Sequence, residues 1–390
     1  MATLLLIVIY IAFIGLGIPD SLFGAAWPAI YGEYAIPVSY ANFVSLTSAV
    51  CMFLSSLYSP KLINNLGTDK VTAVSTAVTA AGLLTISVTH NFALLVLLAI
   101  PLGFGAGAID SGLNNYVALH YNAMQMNFLH CFYGVGVSIS PYLLSFALES
   151  ADGWRGGYLW VGLLQVAIAA VVLLTLPLWK MHSAGIDQEE VVTLSLRKQL
   201  KVKGFCWVLL MFFASCGIEL CCGNWSSTFL VEQRNMPEQM AARMVTLYFI
   251  GLAMGRFLSG LLSLKMAPRR VIWIGMGLLA VAVLLLMLPV GNWAAAVGLL
   301  LAGIGVGPVY PNLMYLTPVL FGRQVSQSMV GTQMAAACLG IMLPPALFGV
   351  IADVLSPAAY PYYLLILLVL LMLAAFGART AGKENADVRI

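Results

Sequence analysis

Charged residues are scarce in this sequence. Its 390 residues include 18 Lys and Arg and 15 Asp and Glu, which together make up 8%, whereas soluble domains carry about 25%. Apolar residues make up 61%, more than a compact soluble fold can bury, because much of its surface must face water. The composition excludes an ordinary soluble enzyme, a nucleic-acid-binding protein and a disordered chain. It indicates a protein with many membrane-spanning segments.

The motifs of enzymes and metal proteins are also missing. The seven cysteines lie in apolar stretches without a CxxC pair, which is typical of small apolar side chains. No nucleophile motif is present, and no two histidines have metal-ligand spacing. The four histidines are spread over different segments, at His90, His120, His130 and His182. We therefore predict a protein that is not an enzyme and that binds no metal or other cofactor.

Twelve apolar stretches have about the 20 residues that a membrane helix needs. They predict an all-α membrane protein with twelve transmembrane helices. The expected domains are a six-helix bundle over residues 1–180, a polar cytoplasmic linker over 181–203, and a second six-helix bundle with a short cytoplasmic tail over 204–390.

The basic residues predict the orientation. If both termini are cytoplasmic, 14 of the 18 Lys and Arg lie in inside segments and three in outside segments, while Arg256 lies within a span. An excess of Lys and Arg on the inside is the usual pattern of membrane proteins. The sequence thus predicts a multi-pass protein of the cell (cytoplasmic or inner) membrane with both termini in the cytoplasm.

The two halves resemble each other at an offset of about 200 residues. Gly103-Phe-Gly105-Ala-Gly107 on span four matches Gly303-Ile-Gly305-Val-Gly307 on span ten, and Asp69-Lys70-Val71 matches Arg269-Arg270-Val271. Six plus six helices in the same orientation form a parallel repeat, which is typical of transporters whose halves rock around a midplane site. The alternative is a chance similarity between Gly-rich apolar segments.

Four charged residues within spans stand out, namely Asp20 on span one, Asp110 on span four, Glu219 on span seven and Arg256 on span eight. A charge at the centre of a span costs roughly 2.5–3.5 kcal/mol on insertion scales. Each of these residues therefore needs an aqueous cavity, a partner or, for the acids, a proton.

Asp110 is the strongest candidate for proton coupling. Gly103, Gly107 and Asn114 share its helical face, and the glycines would let another helix or a ligand approach. A carboxyl group whose charge changes as its cavity opens and closes is what proton coupling requires. The alternative is a structural hydrogen bond between helices.

Asp20 and Glu219 are expected near the solute. Asp20 could bind a solute hydroxyl, carry the proton or hold the backbone near Pro19. Glu219 would face the same cavity if the halves are symmetric, with a structural pairing as the alternative. Arg256 lies toward the cytoplasmic half of its span, where we expect it to pair within a gate.

Further polar and aromatic side chains could line a solute site, which typically has an apolar wall and few convergent polar groups. For His130 a coupling role and a simple buried hydrogen bond stay open. For each aromatic residue the alternative is helix packing. The remaining candidates for solute binding are Trp27, Asn114, Asn115, Asn127, Trp225, Tyr310 and Gln333.

Twelve spans in a 6+6 repeat, with basic loops after spans two and eight, resemble the major facilitator superfamily. Four features resemble its fucose–proton symporter family. They are Asp20 on span one, Asp110-x-x-x-Asn114-x-Tyr116 on span four, Asn127-Phe128-x-His130 on span five, and Gly217-x-Glu219 followed by Trp225 on span seven.

The resemblance implies a major facilitator fold, a monomer, and inward movement of sugars driven by protons. It makes Asp110 the proton-linked acid and Asp20 a sugar-contacting or coupling group. The family has Glu where this chain has Asp110, and Gln where it has His130.

These observations lead to the hypothesis of proton-coupled uptake of a small neutral solute, a monosaccharide, by alternating access. The alternative is a proton-coupled exporter of drugs or other amphipathic cations from the same superfamily, because three acids and Met-rich walls would suit such ligands. H⁺ is the expected coupling ion, and Na⁺ stays open. The expected partners are the solute and the lipid bilayer, with no nucleic acid.

Overall fold

The computed structural model describes residues 2–36, 40–149, 153–183, 192–236, 238–288 and 291–386. The predicted linker thus lies partly outside the described residues, as does the end of the tail. Within these ranges the regular structure is helical. This is expected in a membrane, because the hydrocarbon core holds no water to form hydrogen bonds with backbone N–H and C=O groups, and a helix satisfies these groups internally.

The helices of the first half are α1 (Ala2–Tyr34), α2 (Ala41–Leu66), α3 (Thr68–Ser87), α4 (Phe92–His120), α5 (Ala123–Glu149), α6 (Gly153–Leu174) and the short α7 (Leu176–Ser183). A single turn, α8 (Leu196–Gln199), precedes the second half. That half contains α9 (Phe205–Arg234), α10 (Glu238–Leu262), α11 (Pro268–Met287), α12 (Gly291–Val306), α13 (Val309–Phe321), α14 (Ser326–Val354) and α15 (Tyr360–Ala386).

The described helices agree with the predicted number of spans. Ten stretches are long and apolar enough to cross a membrane, and Leu247–Leu262 of α10 is a shorter apolar helix. One of the ten, Gly291–Phe321, joins α12 and α13 across a break at Gly307 and Pro308. Together with α5, which has 27 residues, these segments make twelve. The all-α architecture predicted from the sequence is confirmed.

The chain forms two compact units. The first contains Met1–Tyr116, Leu129–Thr193 and Arg323–Gly331, and the second contains Val117–Phe128, Leu194–Gly322 and Thr332–Ile390. Each unit thus holds most of one half of the sequence and a short segment from the other half. The domain boundaries at 180 and 204 stay a prediction.

Glycines let α4 approach two neighbours within the first unit. A Cβ atom added to Gly107 would lie 2.6 Å from the backbone oxygen of Met52 on α2, and one on Gly105 would lie 3.2 Å from that of Ser75 on α3. Gly103 also lies against the backbone of α2. The prediction that Gly103 and Gly107 admit another helix is confirmed.

The second unit repeats this packing. A Cβ atom on Gly307 would lie 2.7 Å from the backbone oxygen of Leu252 on α10, and one on Gly305 would lie 2.6 Å from that of Gly275 on α11. Positions 200 residues apart therefore contact equivalent helices, α2 and α3 in one unit and α10 and α11 in the other. This agreement supports an internal repeat over a chance similarity.

A charged cluster ties α1 to α6 in the first unit, beyond the spanning part of α1, Thr3–Gly24. Arg155 donates to both carboxylate oxygens of Glu33 at 2.8 and 2.7 Å and to the backbone oxygen of Thr89 at 2.9 Å. The indole of Trp154 donates to Glu33 at 2.7 Å. The hydrogen bonds from Arg155, more than any other interaction, lower the pKa of Glu33 below its usual value of 4.5.

We expect Arg155→Gln to destabilise the protein in a pH-dependent way. Because the folded state lowers the pKa of Glu33, the pair stabilises the fold above pH 4.5 and loses its effect as the pH falls through the folded-state pKa. The Glu33 side chain is 42% exposed, so solvent screening limits the effect to about 1 kcal/mol or less. Thermal unfolding in detergent at pH 7 and pH 3.5 measures it.

The matched control is Arg234→Gln, because Arg234 donates to backbone oxygens of Leu286 and Leu288 instead of a carboxylate. Its deficit in unfolding temperature is expected to be the same at both pH values. A deficit of Arg155→Gln that is equally large at pH 3.5 and pH 7 would contradict the role of Glu33.

Candidate functional site

The first unit brings α1 and α5 into close contact. A Cβ atom on Gly17 would collide with the backbone oxygen of Tyr133, and one on Gly136 would collide with that of Ile14. This crossing places Asp20, one turn beyond Gly17, beside α5. The hydroxyl of Tyr133 donates to the Asp20 carboxylate at 2.6 Å. Asp20 is itself exposed, so its carboxylate can contact a solute in addition to its hydrogen bond with Tyr133.

Asp110 on α4 is buried, with 7% of its surface exposed. The side-chain amide nitrogen of Asn114, one turn later, donates to the Asp110 carboxylate at 2.6 Å and to its backbone oxygen at 2.9 Å. The amide oxygen of Asn114 lies 3.0 Å from Nε2 of His130 on α5. Since that oxygen can only accept, Nε2 carries the hydrogen of this bond. Asn114 thus bridges an acid and a histidine on neighbouring helices.

The described residues place no cation against the two acids of this cluster. In the described part of the chain, no Lys, Arg or His nitrogen lies within 4.0 Å of Asp20 or Asp110. The two carboxylates are close enough to interact electrostatically. The ring of Phe13 lies 5.5 Å from that of His130 and 6.5 Å from that of Tyr133, centroid to centroid. The cluster can therefore hold or release a proton beside an apolar wall.

Two other predicted site residues of the first unit have partners away from this cluster. Trp27 is buried beside Phe23 and Phe92, at centroid distances of 5.3 and 6.2 Å. Asn115 accepts a hydrogen bond from the hydroxyl of Ser326 at the start of α14. Their roles in solute binding stay predictions.

The second unit joins Glu219 on α9 to Arg256 on α10. Nη2 of Arg256 lies 2.9 Å from Oε1 of Glu219, with 11% of the arginine and 21% of the glutamate side chain exposed. The hydroxyl of Tyr248 donates to the backbone oxygen of Glu219 at 3.0 Å. The structure thus provides the pairing that was the alternative for Glu219. The gate function of Arg256 stays a prediction.

The remaining predicted residues of this unit also have internal partners. Trp225 donates to the Pro345 backbone oxygen at 2.9 Å, and Tyr310 donates to the Met334 sulfur at 3.3 Å. Gln333 accepts from Thr317 at 2.8 Å, and Asn127 donates to Ala123 and Asn312 at 2.8 and 3.4 Å. Within the described residues, Nε2 of Gln333 and Oδ1 of Asn127 are buried without a hydrogen-bond partner. These two atoms retain capacity for a ligand.

Tyr133 is a member of the cluster that the sequence did not single out. It follows His130 by three residues, so the two share a face of α5. The spacing of three residues from His130 is the sequence feature that could have identified Tyr133. The partner of Arg256 was also missed, because both residues lie within spans and nothing local relates α9 to α10.

Comparisons with known proteins agree with this architecture. A family model described as Major Facilitator Superfamily matches residues 9–243 and 224–388. The 3-(3-hydroxy-phenyl)propionate transporter of Escherichia coli (strain K12) is 25% identical over 344 residues, which cover 84% of this chain and 81% of that protein. The glucose/mannose transporter GlcP of Bacillus subtilis (strain 168) is 20% identical over 286 residues, which cover 70% of each.

Among solved structures, a variant of the E. coli fucose:proton symporter FucP is similar with a TM-score of 0.73 and 18% identity, covering 96% of this chain and 98% of that one. At this identity the likeness concerns the fold. The family model covers nearly the whole chain, and its match agrees with the twelve helical segments and the repeated glycine packing. The protein is thus a membrane transporter, not an enzyme, and it belongs to the major facilitator superfamily.

Proposed function

We propose that this transporter couples the uptake of a small neutral solute, a monosaccharide, to the entry of H⁺ by alternating access. The observation that carries the proposal is the environment of Asp110. Its buried carboxylate has a neutral amide as its hydrogen-bond partner and no cation within 4.0 Å among the described residues. An unpaired buried charge is costly in a membrane, and a bound proton removes it.

The proton and the solute would act together. When Asp110 takes up a proton, the repulsion between it and Asp20 falls, and the loaded cluster can lose contact with water. Asp20 and Tyr133 offer an acceptor and a hydroxyl, a combination that suits the hydroxyl groups of a sugar. With Asp110 neutral and the solute bound, the site would then close and reopen on the other side of the membrane at lower cost.

The names of two similar proteins support this substrate class. FucP is named a fucose:proton symporter and GlcP a glucose/mannose transporter. The third relative is named a transporter of an aromatic acid. A carboxylate solute would need a cation, and Arg256 already forms an ion pair with Glu219. This pairing favours a neutral solute.

The test uses the purified protein in proteoliposomes that contain a pH-sensitive dye, at zero membrane potential. Addition of a transported hexose or pentose from a panel is expected to acidify the interior, because H⁺ enters with the sugar. Protein-free liposomes are the control. Acidification would establish the coupling and the solute class together.

Three further arms separate the rivals. Lipophilic cations that alter the internal pH, while every sugar is silent, would support the proton-coupled exporter instead. Sugar uptake that follows a Na⁺ gradient without acidification would mean that the coupling ion is Na⁺ and not H⁺. Acidification by 3-hydroxyphenylpropionate but by no sugar would overturn the neutral solute.

A further inference from the structure

A cavity of about 450 Å³ lies within the second unit, and neither Glu219 nor Arg256 lines it. It is lined by residues of the first two turns of α9 and α11, of α13, and of the C-terminal half of α15. Its inner wall is apolar and consists of side chains such as Val208, Met211, Leu313, Leu316 and Leu320. Such a wall can accommodate a hydrocarbon chain but offers nothing to a sugar.

Three arginines line the same cavity. Arg269 and Arg270 lie in the first turn of α11, Arg379 lies near the end of α15, and all three are exposed. Among the described residues, no acidic side chain lines the cavity and none of the three arginines forms an ion pair. The cavity therefore combines an apolar interior with a cationic rim.

The start of α11 adds to this positive potential. Its N-cap is Ala267, whose side chain caps nothing, Pro268 opens the helix, and the first turn contains no acidic residue. The first amides of a helix have no partner within it and form the positive end of the helix dipole. Both the rim and the helix end thus attract an anion.

The cavity lies at the end of the unit where basic residues concentrate. The orientation predicted from the sequence places Arg269, Arg270 and Arg379 at the cytoplasmic surface, where anionic lipids attract basic segments. Trp273, one turn into α11, lines the cavity and is half-buried. Tryptophan is enriched at the level of lipid headgroups. This position suits a ligand whose head is anionic and whose tail is apolar.

We propose that this cavity binds an anionic phospholipid, with its phosphate at the arginine rim and an acyl chain along the apolar wall. Arginine suits the head because its planar guanidinium donates two parallel hydrogen bonds to phosphate. Free phosphate would occupy the rim alone and leave the apolar interior unused. A bound lipid would connect the ends of α9, α11, α13 and α15 and stabilise the folded transporter by mass action.

The test titrates the full-length protein in detergent with dioleoylphosphatidylglycerol or dioleoylphosphatidylcholine, and follows bound lipid by native mass spectrometry and the unfolding temperature. Phosphatidylglycerol is expected to bind at least tenfold more tightly and to raise the unfolding temperature. The triple variant Arg269→Gln, Arg270→Gln, Arg379→Gln should lose this preference. Leu320→Trp keeps the arginines but fills the apolar wall, and it should weaken binding of the same lipid at least fivefold.

The matched control removes three exposed lysines that do not line the cavity, as Lys61→Gln, Lys70→Gln, Lys198→Gln, and should bind phosphatidylglycerol within twofold of the wild type. An equal loss in this control would mean diffuse attraction to basic residues and overturn the site. Two results would show that the occupant is not a lipid. One is displacement of phosphatidylglycerol by inorganic phosphate at the same concentration as the lipid. The other is phosphatidylglycerol binding by Leu320→Trp that is as tight as in the wild type. If the triple variant does not fold, Leu320→Trp and the comparison of the two lipids decide.

Discussion

Asp110→Asn is expected to abolish proton-driven accumulation of the solute while sparing solute exchange across the membrane. The carboxyl group of Asp110 is buried and accepts a hydrogen bond from Asn114. An asparagine at this position keeps an acceptor oxygen of similar size, so the bridge to His130 can persist. It carries no exchangeable charge, so the site stays permanently in a state that resembles the protonated acid.

The expected magnitude follows from the driving force. One pH unit corresponds to about 1.4 kcal/mol, or a tenfold concentration ratio for a solute that moves with one proton. A wild-type proteoliposome with an inward gradient of one pH unit should therefore approach roughly tenfold accumulation, and Asp110→Asn should stay near onefold. Uptake of labelled sugar measures the first quantity, and exchange between equal concentrations of labelled and unlabelled sugar measures the second.

Asp110→Glu is the matched control, because it retains a titratable carboxyl group at the same position. We expect it to keep pH-driven accumulation, at a rate reduced by the longer side chain. Accumulation that survives in Asp110→Asn would show that this mechanism is wrong. If accumulation survives in Asp110→Asn but is abolished in Asp20→Asn under the same pH gradient, Asp20 carries the proton instead.

The sequence was sufficient for the architecture because membrane folds follow simple constraints. Apolar length predicts the spans, the backbone requirement in lipid predicts helices, and the offset of 200 residues predicts the repeat. The spacing of Asp110 and Asn114 by four residues also predicts their contact, since both lie on one helical face. These relations are local or periodic.

Contacts between distant helices could not be predicted in the same way. Tyr133 reaches Asp20 because Gly17 and Gly136 allow α1 and α5 to cross at one particular register. A shift by one residue would turn either side chain by about 100° around its helix. The exchange of Val117–Phe128 and Arg323–Gly331 between the units is likewise a property of tertiary packing. Only three-dimensional information identifies such pairs.

The Glu219 and Arg256 ion pair is expected to contribute strongly to stability. Its side chains are 21% and 11% exposed, so the ion pair is largely shielded from water. Removing one partner of a buried pair costs about 3–5 kcal/mol. The residual exposure places Glu219→Gln near the lower limit, which corresponds to a fall in unfolding temperature of roughly 6–12 °C for a unit of about 200 residues.

The double variant Glu219→Gln, Arg256→Gln removes both charges and should recover most of this loss, because both members of the buried ion pair are replaced together. Thermal unfolding of the wild type, both single variants and the double variant in the same detergent gives the coupling between the two residues. Additive losses would contradict a stabilising pair. If Glu219→Gln is as stable as the wild type but no longer binds the solute, Glu219 is a solute ligand, as its position in the repeat relative to Asp20 also allows.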